Sequence, residues 1–410
     1  MNLSTGLTET AVWDPSDPGW ASDPYGLYAR LREANPTHRS PQGFWVFTRY
    51  ADCVSILRDR RAGTDFRARS DRSNDRRAVG GARDGSLDEL IPFIFRDPPD
   101  HTRLRSLVQK AFTPRVIGEL APRIEQICAE LIDDMLGRST VDLVSDYAYP
   151  LPIRIITEML GVPPSDRGNF QEWTAAVARG LDPEFLLPPE ALTERTTGML
   201  AFIEYFADLI AVRRDHPGDD LISLLIQANE NGESLTHAEL IATCLLLLIA
   251  GHETTVSLIS GGAWTLMQHP DALARLRDEP EVAAIGIEEI LRYVSPVQLT
   301  TRVATSEMLF GAITVKPGDT CLLLIGAANR DPAVFTDPET FRIDRTPNPH
   351  LGFGLGIHHC LGAPLARLEA QIALRALARR TRASSAGDVT YKDTVALRGL
   401  ATLPINLTAV

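Results

Sequence analysis

The sequence predicts a mainly α-helical chain with small β-sheets, an α+β protein, on three observations. Apolar residues recur at helical spacing over most of the chain, and one pattern runs without proline from Thr236 to Pro270. Strand-like stretches are few and short: Gly43 to Phe47, Met308 to Val315 and Thr320 to Ile325. The composition, 44% hydrophobic, 23% charged and 7% aromatic over 410 residues, is that of a packed globular protein.

In chain order, the opening residues, with Asp14, Pro15, Asp17 and Pro18, contain no apolar run and read as an N-terminal extension over residues 1–22. Between Arg60 and Asp84 the chain is crowded with Arg, Asp, Ser and Gly, with no apolar period. This predicts a mobile surface loop, part of a variable region over 60–96. A helix is expected after Pro98-Pro99, and turns at Pro188-Pro189 and from Asp215 to Gly218. Thr236 and Glu239 have the spacing of a capping box, which opens a helix roughly 50 Å long. Its middle, Cys244 to Ile249, is apolar on every face, and Gly251, His252, Glu253, Thr254 and Thr255 follow at once. A carboxylate and hydroxyls in a buried helix cost several kcal/mol unless paired or hydrated, so this cluster is expected to line a cavity. A last helical pattern runs from about Leu361 to Arg380. The length alone favours two or three domains, but no repeat and no Gly/Ser linker divides the chain.

The formal charge of -12, from 53 acidic and 41 basic side chains, argues against a nucleic-acid partner. Lysine occurs only at 110, 316 and 392, so arginine is the default cation of this chain. Five cysteines, Cys53, Cys128, Cys244, Cys321 and Cys360, are an odd and scattered set, which fits a reducing cytoplasm better than a disulfide framework. The longest apolar run, Ile241 to Gly251, is half of the about 20 residues that span a bilayer, so no membrane anchor is expected.

His252-Glu253 suggests a zinc-protease helix, but the position of the second histidine is Val256, and that reading fails. The segment from Phe353 to Gly362 is more informative. Two glycines let the backbone approach a bulky group, and Cys360 then precedes a helix, where amide donors and the dipole favour thiolate. No second Cys/His pair completes a zinc site, and no nucleophile elbow accompanies the thiol. A hydrolytic nucleophile stays open, beside a single thiolate on a large flat cofactor.

Phe353-Gly354-x-Gly-x-His358-x-Cys360-x-Gly362 resembles the heme-binding loop of the cytochrome P450 monooxygenases. Ala250-Gly251-His252-Glu253-Thr254-Thr255 resembles that family's oxygen-activation motif, Glu289-Ile-Leu-Arg292 its Glu-x-x-Arg pair, and Ala328 to Pro332 a turn of its soluble bacterial members. Asp97 to Arg105 and Phe341 to Arg345 extend the similarity from about Asp23 to the C-terminus.

The resemblance implies one domain over 1–410 with the P450 fold, a triangular prism holding heme b (iron protoporphyrin IX) between a long distal helix and a proximal helix. Cys360 would be the axial thiolate ligand, which favours O–O cleavage on the opposite face. His101, Arg105, Arg302 and His358 would meet the propionates, with Ala250, Gly251, Phe353, Gly354 and Gly362 against the ring. Glu253 and Thr254 match the acid–alcohol pair that delivers protons during oxygen activation. Glu289, Arg292 and Arg345 would form a structural ion-pair triad. Ile91, Phe93, Leu246, Ile249, Val297, Gln298, Thr300, Thr301, Leu400 and Ala401, with the Asn169 to Leu187 region, would surround a mid-sized hydrophobic substrate.

The implied activity is hydroxylation in bacterial secondary metabolism, with O2 as cosubstrate. Oxidative coupling, epoxidation and desaturation are alternatives. Electrons would come from NAD(P)H through a ferredoxin or flavodoxin and a ferredoxin reductase, docked on a cationic patch that includes Arg103, Arg115 and Arg367. A monomer is expected. A non-catalytic heme sensor is the competing class, and the Glu253-Thr254 pair would have no purpose there.

Overall fold

A computed structural model describes residues 11–17, 23–70, 88–179, 182, 187–228 and 232–410. The principal helices are α1 (Pro24–Ala34), α2 (Tyr50–Arg58), α3 (Asp100–Val108), α4 (Ala121–Leu136), α5 (Pro150–Met159), α6 (Phe170–Arg179), α7 (Pro189–Asp215), α8 (Leu221–Gln227), α9 (His237–Gln268), α10 (Pro270–Asp278), α11 (Pro280–Val294) and α12 (Ala363–Arg380). A mixed sheet runs in the order β1 (Thr37–Arg39), β2 (Trp45–Phe47), β8 (Thr320–Leu324), β5 (Leu299–Ala304) and β3 (Ala62–Gly63). Only its β2–β8 pair is parallel. A second sheet orders β4 (Thr140–Asp142), β12 (Pro404–Ala409) and β9 (Thr381–Ser385). Two hairpins, β6 (Met308–Phe310) with β7 (Ile313–Val315) and β10 (Thr390–Tyr391) with β11 (Leu400–Thr402), complete the strands.

The organising element is α9. Both halves of its capping box form: Thr236 accepts from the Glu239 amide at 3.2 Å, and Glu239 accepts from the Thr236 amide at 2.9 Å. It packs against α5, α7, α11 and α12, which cover most of its apolar surface. The helix is long and apolar enough to cross a membrane, but 78% of its most apolar window is buried inside the protein. Its close approach to α11 depends on Gly261, where a Cβ would come within 2.7 Å of Val294. Deleting the Leu258 side chain, which is 1% exposed, would cost ~2–5 kcal/mol through the cavity left in this core.

The structure differs from the sequence expectations in several places. The Met308 to Val315 stretch is a hairpin rather than one strand, with Gly311 at φ 59° in its turn. Part of the predicted 60–84 loop is ordered: Ala62–Gly63 pairs with β5, Asp65 caps a turn over Phe66–Ala68, and Ser70 bonds Gly318. A two-residue strand has no alternation to detect. Residues 71–87, and with them the rest of that loop, lie outside the described residues. So do residues 180–181 and 183–186, most of the stretch between α6 and Leu187. Within the N-terminal extension, Trp13 is fully buried in the cluster of Tyr28 and Leu31, and its amide donates to His38. The last helix starts at Ala363, two residues later than the pattern suggests, with Gly362 as its N-cap.

Candidate active site

Cys360 is held by a loop that closes on itself. Its amide donates to the Phe353 carbonyl at 2.9 Å, and its sulfur accepts from the Gly362 and Ala363 amides at the start of α12. Gly356 has φ 75°, and a Cβ there would strike the Leu57 carbonyl at 2.4 Å, so only glycine lets the loop lie against the end of α2. Cys360 is the exposed cysteine, whereas Cys53, Cys128, Cys244 and Cys321 are buried. Desolvation pushes the thiols of Cys128 and Cys321 up to about 12. Desolvation also raises Cys360, but there the Gly362 amide, Arg105, the Ala363 amide and Arg367 oppose it. The thiol borders a cleft of about 450 Å³ that Arg105, Lys110, His359 and Arg367 also line.

A second cluster gathers basic groups. His101 and Arg105 lie one turn apart on α3, and Arg302 projects from β5. The His101 and His358 rings are 4.1 Å apart. Both ring nitrogens of His101 and Nδ1 of His358 are buried without a hydrogen-bond partner among the described residues. Among the described residues Arg302, 7% exposed, donates to Thr300 Oγ1 and the Thr301 carbonyl, and Arg105 donates to the His359 carbonyl at 2.6 Å. Among the described residues the carboxylate that acts on both His101 and Arg302 is Asp97, which accepts the backbone amides of Thr64 and Asp65. This crowding of buried cations works against protonation. Burial, then the Arg105 charge, brings His101 down to about 4. Burial, then His101, Arg302 and Arg105, brings His358 down to about 3, and burial lowers Arg302 to about 10. Two guanidinia and two imidazoles crowded together, with three orphaned nitrogens, are complementary to a dianionic ligand. The propionates of a heme fit this cluster, and the Cys360 sulfur, held by two backbone amides, fits an iron.

On α9 a stripe of accessible residues interrupts the buried helix. Ala250 is exposed, and Leu246, Ile249, Gly251 and Thr254 are half-buried, whereas His252, Glu253 and Thr255 are buried. This spacing marks one helix face bordering open space. The Thr254 hydroxyl donates to the Ala250 carbonyl at 2.8 Å and Thr255 to that of Gly251 at 2.9 Å. Glu253 lies beside the stripe, its Oε2 paired with Lys392.

Glu289, Arg292 and Arg345 meet in the interior. Glu289 accepts from Arg292 at 2.7 and 2.8 Å, from Arg345 at 3.1 Å, from the Arg342 amide at 2.9 Å and from Asn348 at 3.2 Å. The carboxylate thereby fixes the segment that leads into the Cys360 loop.

The residues expected around a substrate divide. Leu246, Ile249, Val297, Thr300, Thr301 and Ala401 retain accessible surface, whereas Ile91, Phe93 and Leu400 are at most 5% exposed and pack as core. Gln298 is corrected: its amide accepts from Tyr28 at 2.7 Å and donates to the Ser295 carbonyl at 2.6 Å, so both ends serve the fold and neither is offered to a ligand. The arginines of the expected cationic patch each have a carboxylate neighbour. Arg103 pairs with Glu239, Arg115 with Glu119, and Arg367 with Glu288 at 2.6 Å. Sequence reasoning missed Lys110 at the cleft and Lys392 at Glu253, because a lone lysine carries no periodic or motif signal.

A profile of the family Cytochrome P450 matches residues 199–407. The chain is 43% identical to "Cytochrome P450 107B1" of Saccharopolyspora erythraea over 399 residues, 95% of this chain and 96% of that protein. It is 38% identical to the "6-deoxyerythronolide B hydroxylase" of the same organism over 417 residues, 97% of this chain and 99% of the other. Among solved structures, P450BioI in complex with an acyl carrier protein ligated to hexadec-9Z-enoic acid matches with a TM-score of 0.87 at 38% identity, covering 95% of this chain and 98% of that one.

Proposed function

Because this chain belongs to the cytochrome P450 family and is a monooxygenase using heme iron and O2, we propose that it hydroxylates a mid-sized hydrophobic natural product of polyketide or fatty-acyl type. The observation that carries the heme geometry is the basic cluster: His101, Arg105, Arg302 and His358 converge with three unpartnered ring nitrogens and one preoccupied carboxylate. These residues would bind the two propionates, and Cys360, whose sulfur accepts from the Gly362 and Ala363 amides, would supply the thiolate ligand. Heme supplies the iron at which O2 is activated, so that one oxygen atom enters a C–H bond and the other leaves as water.

That stoichiometry consumes two electrons and two protons per turnover, and both must reach a site closed to bulk water. Glu253 takes up protons and passes them toward Thr254, whose hydroxyl is positioned by its hydrogen bond to the Ala250 carbonyl. Leu246 and Ile249 present apolar surface on the same helix face, which supports an apolar substrate. Two of the three named relatives support its class: one is a 6-deoxyerythronolide B hydroxylase, and the other is in complex with an acyl carrier protein ligated to hexadec-9Z-enoic acid. Electrons derived from NAD(P)H enter from a cytoplasmic ferredoxin or flavodoxin, kept reduced by its reductase and docked at the cleft of Arg105, Lys110 and Cys360. All these elements belong to one heme-enclosing domain.

The test is a screen of polyketide lactones and long-chain fatty acids for a low-to-high-spin shift of the ferric protein, followed by turnover of the hits under isotopically labelled O2. The expected product carries one labelled oxygen atom. Failure of every compound of both classes to bind, or a product without the label, would overturn the assignment.

A further inference from the structure

Glu253 and Lys392 form an ion pair across 139 residues of sequence, Nζ to Oε2 at 2.5 Å. The Glu253 side chain is 7% exposed and that of Lys392 27%, so the pair spans from the interior to the edge of solvent. Its geometry is built by the C-terminal hairpin. Lys392 directly follows β10, and its amide donates to the Gly399 carbonyl at 3.0 Å, just before β11. Gly399 lies so close to α9 that a Cβ would come within 2.2 Å of Ser257 Oγ, and Ser257 in turn donates to the Glu253 carbonyl at 3.0 Å. The hairpin is therefore seated on the turn of α9 that carries Glu253. Only a close approach of this kind brings the ammonium to the carboxylate.

The other carboxylate oxygen faces unfinished hydrogen bonding. Oε1 is 3.9 Å from His252 Nδ1, beyond bonding distance. Tyr149 Oη is buried without a hydrogen-bond partner among the described residues, and the His252 ring, 4.3 Å from the Tyr149 ring, is within reach of the Tyr149 backbone. Buried polar atoms left over in this way are normally bridged by ordered water. The cation itself is also unusual for this chain, which uses lysine at three positions and arginine everywhere else. Arginine would grip a carboxylate with two parallel bonds, whereas an ammonium on a flexible stem makes a point contact that can be released.

We propose that Lys392 is the positioning residue for Glu253, holding the carboxylate toward the solvent edge of α9 and releasing it to carry protons inward to Thr254. The His252 ring faces the other oxygen of the same carboxylate, at 3.9 Å. The proposal rests on Glu253 as the proton carrier, and the experiment separates the two.

Lys392→Met, Lys392→Arg and Glu253→Gln are compared with the parent as holoenzymes, each first shown to keep the parent's reduced carbon-monoxide spectrum. In the ferrous carbon-monoxide complex labelled with nitrogen-15 lysine, three side-chain signals are expected. The one missing in Lys392→Arg belongs to Lys392, and it should shift in Glu253→Gln. In turnover, Lys392→Met should lower product per electron on the order of tenfold and alter the solvent isotope effect on product formation. Lys392→Arg should recover only part of the coupling, because its two-bond grip positions the carboxylate but hinders its release. A Lys392 signal indifferent to Glu253→Gln, or parental coupling and isotope effect in Lys392→Met, overturns the assignment of Lys392. Parental coupling in Glu253→Gln overturns the reading of Glu253 itself, and the role of Lys392 with it.

Discussion

Replacing Glu289 with glutamine tests what holds the Cys360 loop in place. Glu289 is 0% exposed and carries the negative charge that faces Arg292 and Arg345, themselves 0% and 4% exposed. Removing one member of a buried ion pair costs about 3–5 kcal/mol, because the remaining charges stay buried without compensation. The lower end of that range applies here, since carbonyls keep part of the guanidinium bonding. Arg292 also donates to Pro338 at 2.8 Å, and Arg345 to Thr336 at 2.7 Å and Thr340 at 2.8 Å. A loss of ~3 kcal/mol with a urea dependence of ~3 kcal/mol/M moves the unfolding midpoint down by ~1 M. Heme should leave early in the same titration, because Glu289 ties down Arg342 and Asn348 ahead of the loop. Following backbone ellipticity and heme absorbance together measures both effects. Arg277→Ala, which breaks the exposed pair with Asp278, is the control and should leave the midpoint unchanged. A Glu289→Gln protein within about 1 kcal/mol of the parent and fully loaded with heme would refute the reasoning.

Three further outcomes are expected. Thr254→Ala should keep heme and substrate binding while product per O2 falls about tenfold and peroxide rises, and parental coupling would remove Thr254 from proton delivery. His252 is held near a pKa of about 4 by burial, against 6.5 when unfolded, so the unfolded chain binds the extra proton first. Stability is therefore full above about 6.5 and declines as pH falls toward about 4, by on the order of 3 kcal/mol. His252→Leu should flatten that decline in urea midpoints between about pH 7 and 4.5, and parallel profiles would contradict it. Lys110→Glu should slow reduction by an acidic ferredoxin about tenfold at low salt, with the gap closing as salt rises and the substrate spin shift unchanged. An unchanged rate and salt dependence would move the docking site elsewhere.

Features that depend on neighbours in sequence were legible before the structure. The Thr236–Glu239 capping box, the one-turn spacing of His101 and Arg105, and the glycines around Cys360 are local patterns, and local geometry decides them. Pairings across the chain were not. Arg103 reads as a surface cation until Glu239 is found beside it, and Arg367 until Glu288 is. Gln298 reads as a free amide until Tyr28 takes its oxygen, 270 residues away. Lys392 is invisible for the same reason, since its meaning comes from the seating of Gly399 on Ser257 rather than from its own neighbourhood. The fold class was the easier inference, because helical periodicity repeats over many residues, whereas the Ala62–Gly63 strand exists only through its pairing with β5.

The central claim is that Cys360, presented by the start of α12 with the basic cluster of His101, Arg105, Arg302 and His358, holds heme through its sulfur. The reduced carbon-monoxide difference spectrum of the purified protein tests it most directly, beside that of Cys360→His. The parent should show the thiolate-type band, and the variant should replace it with the histidine-type band while still binding heme. A histidine-type band in the parent, or a thiolate-type band that survives Cys360→His, would contradict the account.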